Sequence, residues 1–142
     1  MHWIFLEYNI TKQELLLDLK EVFKNEEFSF LDEPNSEGIP IELYGNQSFL
    51  KSHIELFIDE ENKGFNYADK LAEFLSNKYD CDSVRELHSK IAFIEFNDKH
   101  AIQFYSVLNR NGKKYIIEDD GILEEGFKIK INREVKINYN TI

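Results

Sequence analysis

The sequence predicts an α+β domain: a mixed or mainly antiparallel sheet with two helices packed on one face. Three observations predict it. Apolar residues switch between strand-like and helix-like spacing up to Tyr79. From Lys90 onward the pattern is β-rich throughout. Asn111-Gly112, set between two such runs, is the strongest hairpin signal in the chain. The early part has a ferredoxin-like order, strand-helix-strand-strand-helix-strand, and the rest reads as a β-meander. Element order of this kind carries no function with it.

His2 to Asn9 is short, aromatic and β-branched, which makes it the first strand. Thr11 caps the helix that follows, and Glu14 three residues on completes a capping box. Leu15, Leu16, Leu19, Val22 and Phe23 give that helix a buried side, with its end near Asn25. Phe28 to Leu31 suits a short strand, and Asp32 to Gly38 is an acidic loop. Ile39 to Tyr44 contains Pro40, which favours a sheet edge. Phe49 to Asp59 is a strand ending in the acidic turn Asp59-Glu60-Glu61-Asn62.

The second helix starts after Asn66 as N-cap, with Asp69 near its positive end. Asp82 to His88 fits either an extra helical turn or an irregular connection. Ile91 to Phe96, Ala101 to Asn109 and Lys114 to Glu118 are read as strands. In the last run, Phe127, Ile129, Ile131, Val135, Ile137 and Tyr139 share the odd face, and Arg133 interrupts it as a bulge or turn. The even face, Lys128, Lys130, Asn132, Glu134, Lys136 and Asn138, is solvated.

The 142 residues are the size of one domain, 1–142, and contain no linker-like stretch. With 42% hydrophobic residues, including twelve Phe and seven Tyr, core material is ample and no metal or disulfide is needed for stability. Cys81 is the only cysteine, which excludes an internal disulfide and any Cys-x-x-Cys zinc pattern. No signal-like start and no apolar stretch near ~20 residues is present, so the expected location is the cytoplasm and no membrane partner is expected. Abundant Ile, Lys and Asn, with few arginines, fit an AT-rich bacterial genome.

The charge is unevenly distributed. Residues 1–62 hold 14 acids against four lysines, which accounts for the whole formal net charge of −10. Residues 63–142 hold 13 of each sign. Such a field repels nucleic acid and favours encounter with a basic protein, although solubility alone also accounts for it.

Catalytic and cofactor motifs are missing. No phosphate-binding glycine loop and no Gly-x-Ser-x-Gly elbow occurs. Cys81 lies between Asp80 and Asp82, whose charge disfavours a thiolate. His53 and Glu55 fall on one strand face and, with Asp59 or His100, offer the best metal set, pointing to a small metal-dependent hydrolase. Alternate polar residues on a half-exposed strand give the same pair by default. Lysines 128, 130 and 136 alternate with the aromatics and so lie on the opposite face from them, unlike a single-strand-binding surface.

The remaining constellation is acidic. Glu14, Asp18 and Glu21 form a stripe at helical spacing on the first helix. Asp32, Glu33 and Glu37 occupy the loop, Tyr44 follows as an aromatic anchor, and Asp59, Glu60 and Glu61 close the next strand. These residues are expected to bind a basic partner without cofactor or catalysis. Size and charge suit an immunity or antitoxin-type inhibitor that occludes a basic toxin domain, such as a nuclease. A structural or oligomeric subunit, joined through the strand edge at Ile39 to Tyr44, is the third reading.

Overall fold

The structure is a computed structural model, and it describes residues 1–33, 37–46 and 48–136. Ile137, Asn138 and Tyr139, expected to extend the last strand, lie outside the described residues, as does the centre of the acidic loop at 34–36. The elements are β1 His2–Leu6, α1 Lys12–Val22, β2 Phe28–Phe30, β3 Ile39–Gly45, β4 Ser52–Leu56 and α2 Glu61–Tyr79. β5 Ser83–Glu86, α3 Ser89–Phe96, a 3-10 helix Lys99–Gln103, β6 Tyr105–Arg110, β7 Lys113–Glu118 and β8 Ile131–Val135 follow.

One eight-stranded mixed sheet, ordered β2-β3-β4-β1-β5-β6-β7-β8, organises the α+β fold. β2 runs parallel to β3, and every other pair is antiparallel. Three strands separate α1 from α2, so the element order departs from the ferredoxin-like pattern. β6, β7 and β8 form an antiparallel meander as expected, and β5, expected as a helical turn or irregular connection, is a strand beside β6.

Local chemistry fixes several elements. The Thr11 hydroxyl accepts the Glu14 N–H, while the Glu14 carboxylate accepts the Thr11 N–H at 3.0 Å, closing the capping box. Asn111 and Gly112 both have positive φ, 52° and 77°, as a type I′ hairpin requires. Opposite β7 the register jumps from Arg133 to Ile131, which places the expected bulge at that point of β8.

Further expectations are corrected. Residues 91–96 are helical, not a strand: the His88 Nδ1 accepts the Lys90 N–H at 3.0 Å, and Asn97 closes the helix in the left-handed conformation. α2 begins at Glu61 and not after Asn66, so Asp69 lies inside the helix, where it meets Arg85. β2 pairs with Ile39–Ile41 of β3, so the expected edge is covered there, while Glu42–Gly45 pair on one side alone, with β4. Pro40 sits one step past the last β3–β4 pair, Ile41–Leu56, where its carbonyl accepts the Phe57 N–H at 3.0 Å, so its missing N–H removes only the reciprocal bond at the end of that ladder. The open border on which the oligomer reading relies is thereby shortened to Glu42–Tyr44.

α1 and α2 cover Ile4, Leu6, Ile41, Ile54 and Leu56 with Leu15, Leu19, Ala68, Leu71 and Leu75. α3 covers Val107, which the register puts on the same side through Arg85 and Ile4. Three helices, not two, therefore share one face. The other face holds Phe5, Val84, Leu108 and Ile117 under Leu50, Phe127 and Ile129.

Candidate functional site

At one end of the helix-covered half, the chain entering β2, the chain entering β3 and the first turn of α2 surround a groove of about 540 Å³. Glu26 and Glu27 precede β2, Gly38 and Ile39 open β3, and Asp59, Glu60 and Lys63 surround the start of α2. The approach is tight. The Ile39 N–H donates to the Glu27 carbonyl at 2.8 Å. At Gly38, φ is +94° and a Cβ would stand 2.4 Å from that same carbonyl oxygen, so only glycine fits.

Glu26 is held by two groups on α2. The Tyr67 hydroxyl donates to its Oε1 at 2.7 Å, and Lys63 Nζ lies 3.3 Å from the same atom. Those contacts, the Tyr67 hydroxyl first, hold the Glu26 carboxyl below its ordinary range. Tyr67 in turn stacks on Phe23 at 4.3 Å, and burial pushes its phenol up to about 12. Lys63 also sits 5.4 Å over the Tyr67 ring.

Asp59, Glu60 and Glu61 are exposed and show no ion pair to a lysine or arginine among the described residues. Their position explains why the fold tolerates them together: the positive end of the α2 dipole lies beside them. In the groove itself Glu26, Glu27, Asp59 and Glu60 stand around Lys63, a cradle for a further ammonium or guanidinium group.

The other expected contact residues are scattered. Asp18 is fully buried, bound by Lys78 and by the Tyr79 hydroxyl, so it faces α2 and not a partner. Glu14 is half-buried and accepts the Tyr8 hydroxyl at 2.6 Å. Only Glu21 of that stripe is exposed, and the stripe is therefore not a continuous acidic face. Asp32 is exposed but paired with Lys12 at 3.0 Å, and Glu33 and Glu37 are exposed. Tyr44 is on the sheet face away from the helices, its ring 5.3 Å from that of His53, so it does not stand beside the acids as an anchor.

The metal set does not assemble. His53 Nε2 lies 3.2 Å from Glu55 Oε1, and burial pushes the imidazole pKa down. Yet among the described residues no group of three His, Cys, Asp or Glu side chains could hold a metal ion. Cys81 is half-buried and its thiol is pushed up to about 11, chiefly by burial and less by the flanking acids.

Glu26 and Glu27 were missed because they sit more than thirty residues from Asp59 in sequence and join it only through the β2–β3 pairing. The sole sequence signal is an acidic pair just after a helix end. No protein-family model matches the chain, and no curated protein and no solved structure matches it. Among the described residues no helix is long and apolar enough to cross a membrane.

Proposed function

We propose that the protein is a non-enzymatic binding module that engages a basic protein through the groove between β2, β3 and α2. The observation that carries this reading is the gathering of Glu26, Glu27, Asp59 and Glu60 around one groove with Lys63 as its single cation. A lysine or arginine entering there meets Glu26, already held by Tyr67 and Lys63, beside the exposed carboxylates of Glu27, Asp59 and Glu60. The surplus of ten negative charges adds long-range steering.

In its most concrete form the module is an immunity or antitoxin-type inhibitor that covers the basic active site of a toxin domain in the cytoplasm. Occlusion needs no cofactor, and the sequence supplies no cofactor motif.

Capture of the partner from the native cell at low and high salt tests the proposal, with the charge-reversed variant D59K/E60K/E61K as the comparison. The expected result is one basic protein whose association slows steeply with salt and is lost by the variant. Equal capture by both forms, or a partner without basic character, overturns it. Stoichiometric zinc, manganese or iron in untagged protein, bound at His53 and Glu55, would turn the reading toward a hydrolase.

A further inference from the structure

We propose that the hairpin made by α3 and the 3-10 helix is a second contact surface, which docks a bulky apolar side chain flanked by lysine or arginine on a partner protein. This rests on the reading of the chain as a binder of a basic protein, and it locates the partner's apolar anchor. α3 reads Ser-Lys-Ile-Ala-Phe-Ile-Glu-Phe, apolar on nearly every side, yet only Ile91 and Ala92 are buried. A helix of that composition belongs between two layers, and here one layer is present. Four of the ten large apolar side chains exposed among the described residues come from this one hairpin: Phe93, Ile94, Ile102 and Phe104. Phe93 is 59% exposed and Phe104 63%.

The surface is rigidly backed. The Asn97 N–H donates to the Phe93 carbonyl at 2.8 Å, ending α3 in a left-handed cap. Phe96 stacks on Tyr105 at 4.4 Å, and the Arg133 guanidinium lies 4.6 Å over the outer side of that stack while donating to the Glu95 carbonyl.

Charge names the occupant. Phe104 borders a groove of about 560 Å³ whose other wall is Glu118, Asp119 and Asp120. The Asp119 N–H donates to the Phe104 carbonyl at 3.1 Å, so aromatic and acids share one backbone junction. No lysine or arginine lines that groove, and Lys130 stands 4.0 Å from Glu118. An apolar group beside a cation matches that wall. A second copy of this chain docked through the same surface, or an anionic bilayer, would bring like charge against Glu118, Asp119 and Asp120.

Two synthetic amphipathic peptides test the inference; they share their leucines and differ only in carrying lysine or glutamate. Amide NMR shifts of the full chain are followed with each, and affinities are compared for wild type, F93S, F104S and E118K/D120K. All four substituted positions are exposed, and circular dichroism checks that each variant folds. The lysine peptide is expected to shift residues 89–104 and 118–121, and its affinity to drop about tenfold in F93S and F104S and again in the charge-reversed variant. Shifts confined to Glu26, Glu27, Asp59 and Glu60 would overturn this surface and leave the β2–β3 groove standing. No binding of the lysine peptide anywhere would count against both. Equal binding of the glutamate peptide, self-association lost in F104S, or binding to phosphatidylglycerol vesicles would each overturn the assigned occupant.

Discussion

His2 Nδ1 lies 3.3 Å from Glu86 Oε1, with both atoms shut off from solvent and neither in a hydrogen bond. The pair sits where β1 begins and β5 ends. Phe65 of α2 touches the His2 ring edge-on at 4.9 Å and the His88 ring at 4.2 Å. Burial pushes the Glu86 carboxyl up to about 7 and both imidazoles down, while Glu61 raises the histidines and the Met1 amino group and Arg85 act on their neighbours with opposite sign.

This corner makes stability depend on pH with a definite sign. Glu86 titrates near 4.5 when unfolded and about 7 when folded, so its contribution is complete below pH 4.5 and is lost as pH rises through about 7. His2 and His88 act the other way, their contribution being complete above pH 6.5 and lost as pH falls. E86Q removes the first term alone. Urea unfolding at pH 5 and pH 8 is expected to show wild type losing up to about 3 kcal/mol relative to E86Q over that interval. A constant difference between the two proteins would sink this account.

The tight seat of His2 gives a second test. A Cβ on Gly64 would lie 1.9 Å from His2 Nε2, so G64A is expected to destabilise by about 1–3 kcal/mol. In an H2A background the ring is gone and the cost of G64A shrinks, which a double-mutant cycle in urea measures. An undiminished cost would place the strain in the helix itself.

Asp18 and Glu21, three residues apart on α1, should respond differently. D18A leaves the Tyr79 hydroxyl and the Lys78 ammonium without their shared acceptor and is expected to cost about 2 kcal/mol. E21A, on an exposed position, should stay within about 0.5 kcal/mol of wild type. Equal effects would mean that Asp18 is not turned inward.

Gly112 isolates the backbone term, since a Cβ there meets nothing within 4 Å while φ is +77°. G112A should cost about 1 kcal/mol with no packing change. A thermal unfolding scan reads this as a shift of several degrees for a chain this size.

Much of the fold was legible because its signals are local. Thr11 with Glu14, and Asn111 with Gly112, each carry their geometry within four residues, and both formed as expected. Ile91 to Phe96 misled because a run apolar on all sides has no period, so neither strand nor helix spacing can be read from it. The start of α2 was hidden by Gly64, which looks like a breaker but makes room for His2. At the site, Asp59, Glu60 and Glu61 were visible, whereas Asp18 was assigned outward because the spacing on α1 does not show that Lys78 and Tyr79 wait on α2. Charge can be counted along a chain, but its grouping depends on tertiary pairing.

The middle of the sheet belongs to the earliest strand. β1 is flanked by Ser52–Leu56 on one side and Ser83–Glu86 on the other, so neither neighbour exists when it is synthesised. Until both arrive, Ile4, Phe5 and Leu6 remain a sticky ribbon with two open borders. Closing β1 on both borders is therefore a non-local step that waits for residues as far along as Glu86, and contacts of that separation slow folding.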